Sequence, residues 1–359
     1  MPTRRTALAA AASIAPAMLL PAAEKKSKKL KYVQIGTGHP HASKIGVYDS
    51  SDDWDVIGIV EEDPEALAKA KQNDTYKKFK FLTLEEALNT PDLAAVGVET
   101  PIRDLLKYTE IAIDAGLHCH LDKPAGNSMP DYRRIMKKAD AGNLVVQMGY
   151  MYRFNPAVQL FHRMRDAGWL GEIFETHAVM SKVLPMASRE EIDEFSGGIM
   201  FELGCHIIDL TIGVLGKPEN ITAFPRRVID SGKDTLQDNM LAVFEYPKAT
   251  ATIRSTCVEV DGFARRHFAA CGTGGTCHIQ PLDRPSMIVS LDQERKFEGE
   301  DRIFKKGKNE IKFDPPYSRY VGDAADLAQI IRGEKENSFP SSHDLAVQEA
   351  VFRASGGTI

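Results

Sequence analysis

Beyond residue 30, short apolar runs alternate with amphipathic stretches of helical period. The runs are Lys31–Ile35, Val56–Val60, Leu93–Val98, Leu117–Leu121 and Leu144–Met148, with a weaker one near Phe79–Leu82. Helical patterns fall between them at Glu65–Gln72, Arg103–Ala115 and Pro130–Ala141. Apolar runs separated by helices mark a parallel sheet covered on both faces. Residues 30–150 are therefore expected to form a Rossmann-type, doubly wound α/β domain.

The pattern changes after residue 150. A helical stretch at Pro156–Ala167 is followed by β-rich runs at Ile173–Val183, Leu241–Glu245, Thr250–Val258, His267–Ala270 and Met287–Leu291. A helix over Gly198–Leu215 interrupts them. Strands following one another through short turns predict an antiparallel or mixed sheet. Residues 151–340 are expected to be an α+β domain built on a large, mostly antiparallel sheet. Closing helices are expected at Tyr320–Arg332 and Asp344–Ala354, with 341–359 as a separate C-terminal helical segment.

A length of 359 residues suits two domains, and 43% hydrophobic residues supply their cores. The net charge of −5 offers no basic stripe for nucleic acid. The pairs Lys25-Lys26 and Lys305-Lys306 read as solvated surface. Five scattered cysteines make no disulfide framework. The start differs: Arg4-Arg5 precedes an Ala-rich apolar stretch, Ala7 to Leu20, and then Pro21-Ala22-Ala23. This predicts a twin-arginine export signal over 1–23, and hence a periplasmic or otherwise exported protein. The alternatives are a frayed helix or an anchor, with a cytoplasmic location. The stretch is too short for a stable membrane span.

Candidate chemistry begins at Ile35-Gly36-Thr37-Gly38, directly after the first strand. A strand, a glycine turn and a helix start gather backbone N–H groups around a phosphate. His41 stands where a third glycine is usual. Glu61, at the end of the second strand, is placed to accept the ribose hydroxyls of an adenosine and would repel a 2′-phosphate. NAD is expected over NADP, with Gly36, Thr37, Gly38, His39 and Glu61 in the cofactor site. The pairs His39/His41 and His118/His120 lack a third ligand, so no metal site is expected, and both read as packing or cofactor-wall residues.

Several segments resemble the Gfo/Idh/MocA oxidoreductases, the family of glucose-fructose oxidoreductase and inositol dehydrogenase. Leu121-Asp122-Lys123-Pro124 resembles its E-K-P motif, with Asp for Glu. The stretch from Gly197-Gly198 through Glu202, Gly204, His206 and Asp209 resembles G-G-x-x-x-D-x-G-x-H-x-x-D, with Glu202 for the first Asp. Glu99-Thr100-Pro101 resembles the turn along the cofactor, and Met148-Gly149-Tyr150 through Arg153-Phe154-Asn155-Pro156 the crossover between domains. Arg266-His267-Phe268 through Gly275 resembles a hairpin of the large sheet, whose open face commonly joins subunits.

The resemblance implies hydride transfer with a sugar, polyol or related carbohydrate. Lys123 is then the acid–base candidate, its pKa expected to fall toward ~7–8 by desolvation. His206 is a proton relay or hydroxyl ligand, with Glu202 and Asp209 on the same helical face to orient it. Thr100, Pro101 and Asp122 join the cofactor site, and Tyr152 and Arg153 line the substrate pocket. A homo-oligomer, dimer or tetramer, is expected through the large sheet. Two other readings stay open: a redox-neutral NAD-dependent glycoside hydrolase, and a non-catalytic dinucleotide-binding protein.

Overall fold

A computed structural model describes residues 28–357, so the expected export signal lies outside the described residues. The first half runs β1 (Leu30–Ile35), α1 (Ile45–Ser50), β2 (Trp54–Val60), α2 (Pro64–Ala70), β3 (Phe81–Leu82), α3 (Leu84–Leu88), β4 (Leu93–Val98), α4 (Leu105–Asp114), β5 (His118–Leu121), α5 (Met129–Ala141) and β6 (Val146–Met148). The strands form one parallel sheet in the order β3-β2-β1-β4-β5-β6. The order reverses between β1 and β4, and such a switch point opens a crevice at the carboxyl ends of the strands. The predicted doubly wound domain is therefore present.

The second half contains α6 (Pro156–Asp166), β7 (Ile173–Ser181), α7 (Met186–Asp193), α8 (Cys205–Leu215), β8 (Asn220–Arg226), β9 (Asn239–Glu245), β10 (Thr250–Thr256), α9 (Gly262–Arg265), β11 (His267–Gly272), β12 (Gly275–Ile279), β13 (Ser286–Leu291), β14 (Arg295–Lys296), β15 (Ile303–Phe304), β16 (Gly307–Lys312), α10 (Val321–Ile331) and α11 (Ser341–Ala354). Eight strands form one sheet in the order β16-β13-β12-β11-β7-β10-β9-β8. Every described pairing in it is antiparallel except β7 with β10. One face is buried, with Ala178, Met180, Ala242, Phe244 and Phe268 in the core.

The two halves are joined by more than the crossover at residue 150. Helix α10 returns to the first domain, where Ala324, Leu327 and Ala328 pack on Tyr32, Tyr48 and Trp54. Trp54 Nε1 donates to the Ala324 carbonyl at 2.9 Å. Arg332 reaches Asp53 at 2.6 Å. Among the described residues no helix is long and apolar enough to cross a membrane.

Candidate active site

The loop between β1 and α1 lies against the turn after β4. Gly36 has φ +91°, and a Cβ there would stand 2.7 Å from Thr100. A Cβ on Gly38 would stand 2.9 Å from Pro101. Glycine at both positions lets two backbone segments meet. Glu61 folds back onto the loop, its Oε2 accepting from Thr37 N at 2.8 Å and Thr37 Oγ1 at 2.7 Å. Its Oε1 accepts from Asp63 N at 3.2 Å.

Beside Glu61 lies a cavity of about 440 Å³ lined by Thr37, Gly38, Asp63, Glu65, Thr100 and Tyr108, among others. Gly38, Pro101 and Arg103 are shared with a second cavity of about 180 Å³, which reaches Lys182 and Glu202 of the other domain. One groove therefore runs from Glu61 across the glycine loop to the domain junction. An extended dinucleotide fits it: an acid stands at the adenosine end, and the Gly38 N–H has no acceptor among the described residues. Thr37, Gly38, His39, Thr100 and Pro101 border the groove and Gly36 packs against Thr100 behind them, while Asp122 is fully buried.

At the junction end, Lys123 Nζ donates to the Glu202 carbonyl at 2.8 Å and to Glu202 Oε1 at 3.0 Å. The expected helix over Gly198–Leu215 is interrupted here. Residues Met200–Gly204 form a π-helical turn before α8 begins at Cys205. Such a turn loosens the backbone ladder, and π-turns are frequent at functional sites. Here it leaves the Glu202 carbonyl free to meet the lysine.

Glu202 also receives Lys182 at 3.2 Å, a residue at the end of β7 that no sequence motif marked. Burial would lift the Glu202 carboxyl, but Lys123 and Lys182 outweigh it and hold the group well below its ordinary value. The depressed lysine expected at 123 is corrected. Burial pulls it down, but Glu202 chiefly, together with Cys205 and Asp122, outweighs burial and raises it above its usual value. Lys123 is thus a held ammonium.

His206 is 1% exposed, and its Nδ1 is buried without a partner. Its ring lies edge-on to Tyr152 and Tyr150, at 5.6 and 6.1 Å between centroids. Burial first, and Lys123 second, hold its pKa well below the ordinary value. The expectation that Asp209 and Glu202 orient it fails. Asp209 takes Arg153 at 2.6 Å and His343 at 3.1 Å instead. Arg153 is also placed differently from the expected pocket wall. It is 2% exposed, bonds Asp344 as well, and stacks on Phe339 at 4.0 Å. The bidentate geometry of a guanidinium suits this role between α8 and α11. Tyr152 is buried beside His206.

The groove floor holds a dense charged cluster. Asp122 Oδ2 accepts from Lys44 Nζ at 2.5 Å, and Oδ1 from the Lys123 amide at 2.6 Å and His41 Nδ1 at 3.1 Å. Burial would raise Asp122, but His39, Lys44 and His41 around it keep it well below its usual value. Lys44 also meets His120 Nε2 at 2.8 Å and lies 3.0 Å from Glu99 Oε1. His120 Nδ1 meets Gln147 Oε1 at 2.9 Å, and Gln147 donates onward to Asp326.

His39 Nε2 meets the Lys123 carbonyl at 3.0 Å. The third group that the His39/His41 pair lacked in sequence is Asp122, but the Lys44 ammonium already provides the cation there. Tyr320 also escaped the sequence reading. It adopts φ +69° at the start of α10 and sets its ring 5.6 Å from His41.

Comparison with known proteins gives a consistent picture. Residues 30–150 match the oxidoreductase family with an NAD-binding Rossmann fold, and residues 158–278 match the GFO/IDH/MocA C-terminal domain. A D-xylose 1-dehydrogenase (NADP+) of Haloferax volcanii is 26% identical over 195 residues, 54% of this chain and 59% of that protein. An uncharacterised oxidoreductase of Synechocystis is 27% identical over 291 residues, 78% of this chain and 76% of its own length. A scyllo-inositol 2-dehydrogenase (NADP+) of Bacillus subtilis is 26% identical over 142 residues, 39% of this chain and 40% of that enzyme. The chain thus spans between two fifths and three fifths of the two named dehydrogenases it matches. The aldose-aldose oxidoreductase of Caulobacter crescentus, solved with glycerol, shares the fold at TM-score 0.75 and 18% identity, over 92% of this chain and 98% of that one.

Proposed function

Because the chain belongs to the Gfo/Idh/MocA oxidoreductases, matched in both domains, we propose that it exchanges a hydride between a sugar or polyol hydroxyl and NAD. The observation that carries this is the Lys123–Glu202 pair beside His206, at the end of a groove that begins at Glu61. Bound NAD supplies the hydride acceptor, held by Glu61, the Gly38 amide and the Thr100–Pro101 turn.

Of the three N–H bonds of Lys123, two are taken by Glu202. The third serves the substrate oxygen and stabilises negative charge building there. His206, without an internal partner, takes a substrate hydroxyl. Buried Tyr150 and Tyr152 keep water from that hydroxyl. Support for NAD over NADP comes from Glu61, Asp63 and Glu65 around the adenosine end, although Lys69 and Arg103 line the same cavity. Among the relatives, two dehydrogenases carry NADP+ in their names, so the acids are the feature to test.

The export signal is proposed with it, and an exported enzyme would carry its cofactor tightly bound. Subunits would pair through the open face of the large sheet, where Leu241, Val243 and Ile288 are half-buried and Phe224 is 40% exposed. The deciding experiment is mass analysis of nucleotide released from the denatured, purified protein, followed by turnover with aldoses and polyols. Bound NAD(H) and oxidation of any of these support the reading. No bound nucleotide, no NADH binding on titration and no turnover would sink it.

A further inference from the structure

The oxidation direction needs a group that accepts the hydroxyl proton, and neither expected candidate is well equipped for it. Lys123 is held as an ammonium by Glu202. His206 has no carboxylate behind its ring, because Asp209 is occupied by Arg153 and His343.

The imidazole with an acid behind it is His41. Its Nδ1 lies 3.1 Å from Asp122 Oδ1. An ionised carboxylate only accepts, so Nδ1 carries the proton and Nε2 keeps a lone pair. No partner is recorded for Nε2 among the described residues, and the side chain is 13% exposed. The ring faces His206 at 5.8 Å and Tyr320 at 5.6 Å between centroids. Asp122 is itself fixed by Lys44 at 2.5 Å and by the Lys123 amide at 2.6 Å. An imidazole with its tautomer set by a buried carboxylate and its other nitrogen left unbonded is the arrangement of a general base.

We propose that His41, oriented by Asp122, is a catalytic base of this cleft, working opposite Lys123 and His206. The inference rests on the oxidoreductase reading above. In the step, the substrate O–H bond breaks and its proton passes to His41 Nε2, giving an imidazolium beside the Asp122 carboxylate. The oxygen's electron pair becomes the C=O bond as the hydride leaves the same carbon for the nicotinamide dinucleotide, which is the oxidant. Lys123 keeps its proton throughout. The groups facing His41 are His39 on its own loop, Lys44 on the next turn, Asp122 and Lys123 at the end of β5, His206 on α8 and Tyr320 at the start of α10. Burial opposes the imidazolium most and, despite Asp122, holds His41 down at about 3; Lys123 and His39 oppose it further, and Asp122 favours it.

The test compares the full-length wild type with His41→Gln in three measurements. These are NADH affinity by fluorescence, nitrogen-15 spectra of the histidine side chains, and the pH profile of kcat with whichever aldose or polyol the wild type oxidises. The wild type should show a histidine with a protonated Nδ1 and a bare Nε2, absent from the variant. NADH affinity should stay within about threefold, while kcat falls by about 100-fold or more and the acidic limb expected near pH 3 disappears from its profile. Unchanged kcat in His41→Gln overturns the proposal. So does a parallel loss of kcat and NADH affinity, which would mark a cofactor-wall residue. A proton on Nε2 of His41 in the wild type overturns it without any variant. A wild type that binds NADH but oxidises none of these substrates overturns the base assignment. One that does not bind NADH at all defeats the oxidoreductase reading, and the base assignment with it.

Discussion

Glu202 carries two lysines on one carboxylate, so removing its charge leaves both without a counter-ion in a buried place. Glu202→Gln is expected to cost about 3 kcal/mol of stability at pH 7, measured by urea unfolding. Because its folded pKa is depressed, the contribution is present above the unfolded value of 4.5 and is lost as pH falls through the lower folded value. The variant's deficit should therefore shrink on acidification.

Asp323 behaves oppositely. Burial lifts it to about 6, the Lys44 charge only partly countering, and neither carboxylate oxygen has a hydrogen bond. Its stability contribution is whole below 3.8 and is lost as pH rises through about 6. Asp323→Asn should stabilise the protein by about 3 kcal/mol at pH 7.5 and by almost nothing near pH 3.5. Equal gains at both pH values would contradict this account.

What the sequence conveyed at this scale was position. Lys123 and Glu61 end strands of a recognisable pattern, and the structure puts Glu61 on the groove and Lys123 behind Glu202, which lines it. What it did not convey was pairing. Asp209 sits one turn from His206, yet Arg153 satisfies more of its lone pairs than an imidazole does. His41 meets an acid 81 residues away.

At the scale of elements, the site depends on how the chain enters α8. Gly197 and Gly198 have φ +116° and +58°, and a Cβ on Gly198 would stand 2.5 Å from the Gln237 carbonyl. Gly198→Ala is expected to cost about 2–3 kcal/mol by denaturant unfolding and to displace the π-turn that presents Glu202. A neutral result would mean that the turn relaxes freely. The strands of the first domain and its helices α2, α4 and α5 were legible because each is buried on a periodic face, whereas the short α3 was not. Three strands of the large sheet had no expected run: β12, only implied by the hairpin resemblance, and β8 and β16. The latter two lie at its edges, and their exposed, polar-rich alternation resembles loop composition. The π-turn was illegible for another reason: its residues have ordinary helical periodicity, and tertiary contacts with Lys123 choose the wider ladder.

For the whole molecule, α10 and α11 both tie the second half to the first, α11 through Gln348, which bonds Ala125 and Gly126. Leu327 is fully buried against Tyr32, Tyr48 and Trp54 of the first domain. Leu327→Ala should cost about 3 kcal/mol, and tryptophan fluorescence and far-UV circular dichroism should still report a single shared transition. Two separated transitions would show that the halves unfold independently. Both domain types were legible from the alternation of runs and helices. The return of α10 was not, since its apolar face fits either domain equally well in sequence.

The position of α10 near the end of the chain also sets a timetable for biosynthesis. The aromatic patch at Tyr32, Tyr48 and Trp54 emerges from the ribosome well before its cover, Ala324 to Ala328. At about 5–20 residues per second, the nascent first domain waits roughly 15 to 55 s with that patch bare. During that interval a holding chaperone has a defined hydrophobic target, and the target vanishes when the last two helices arrive.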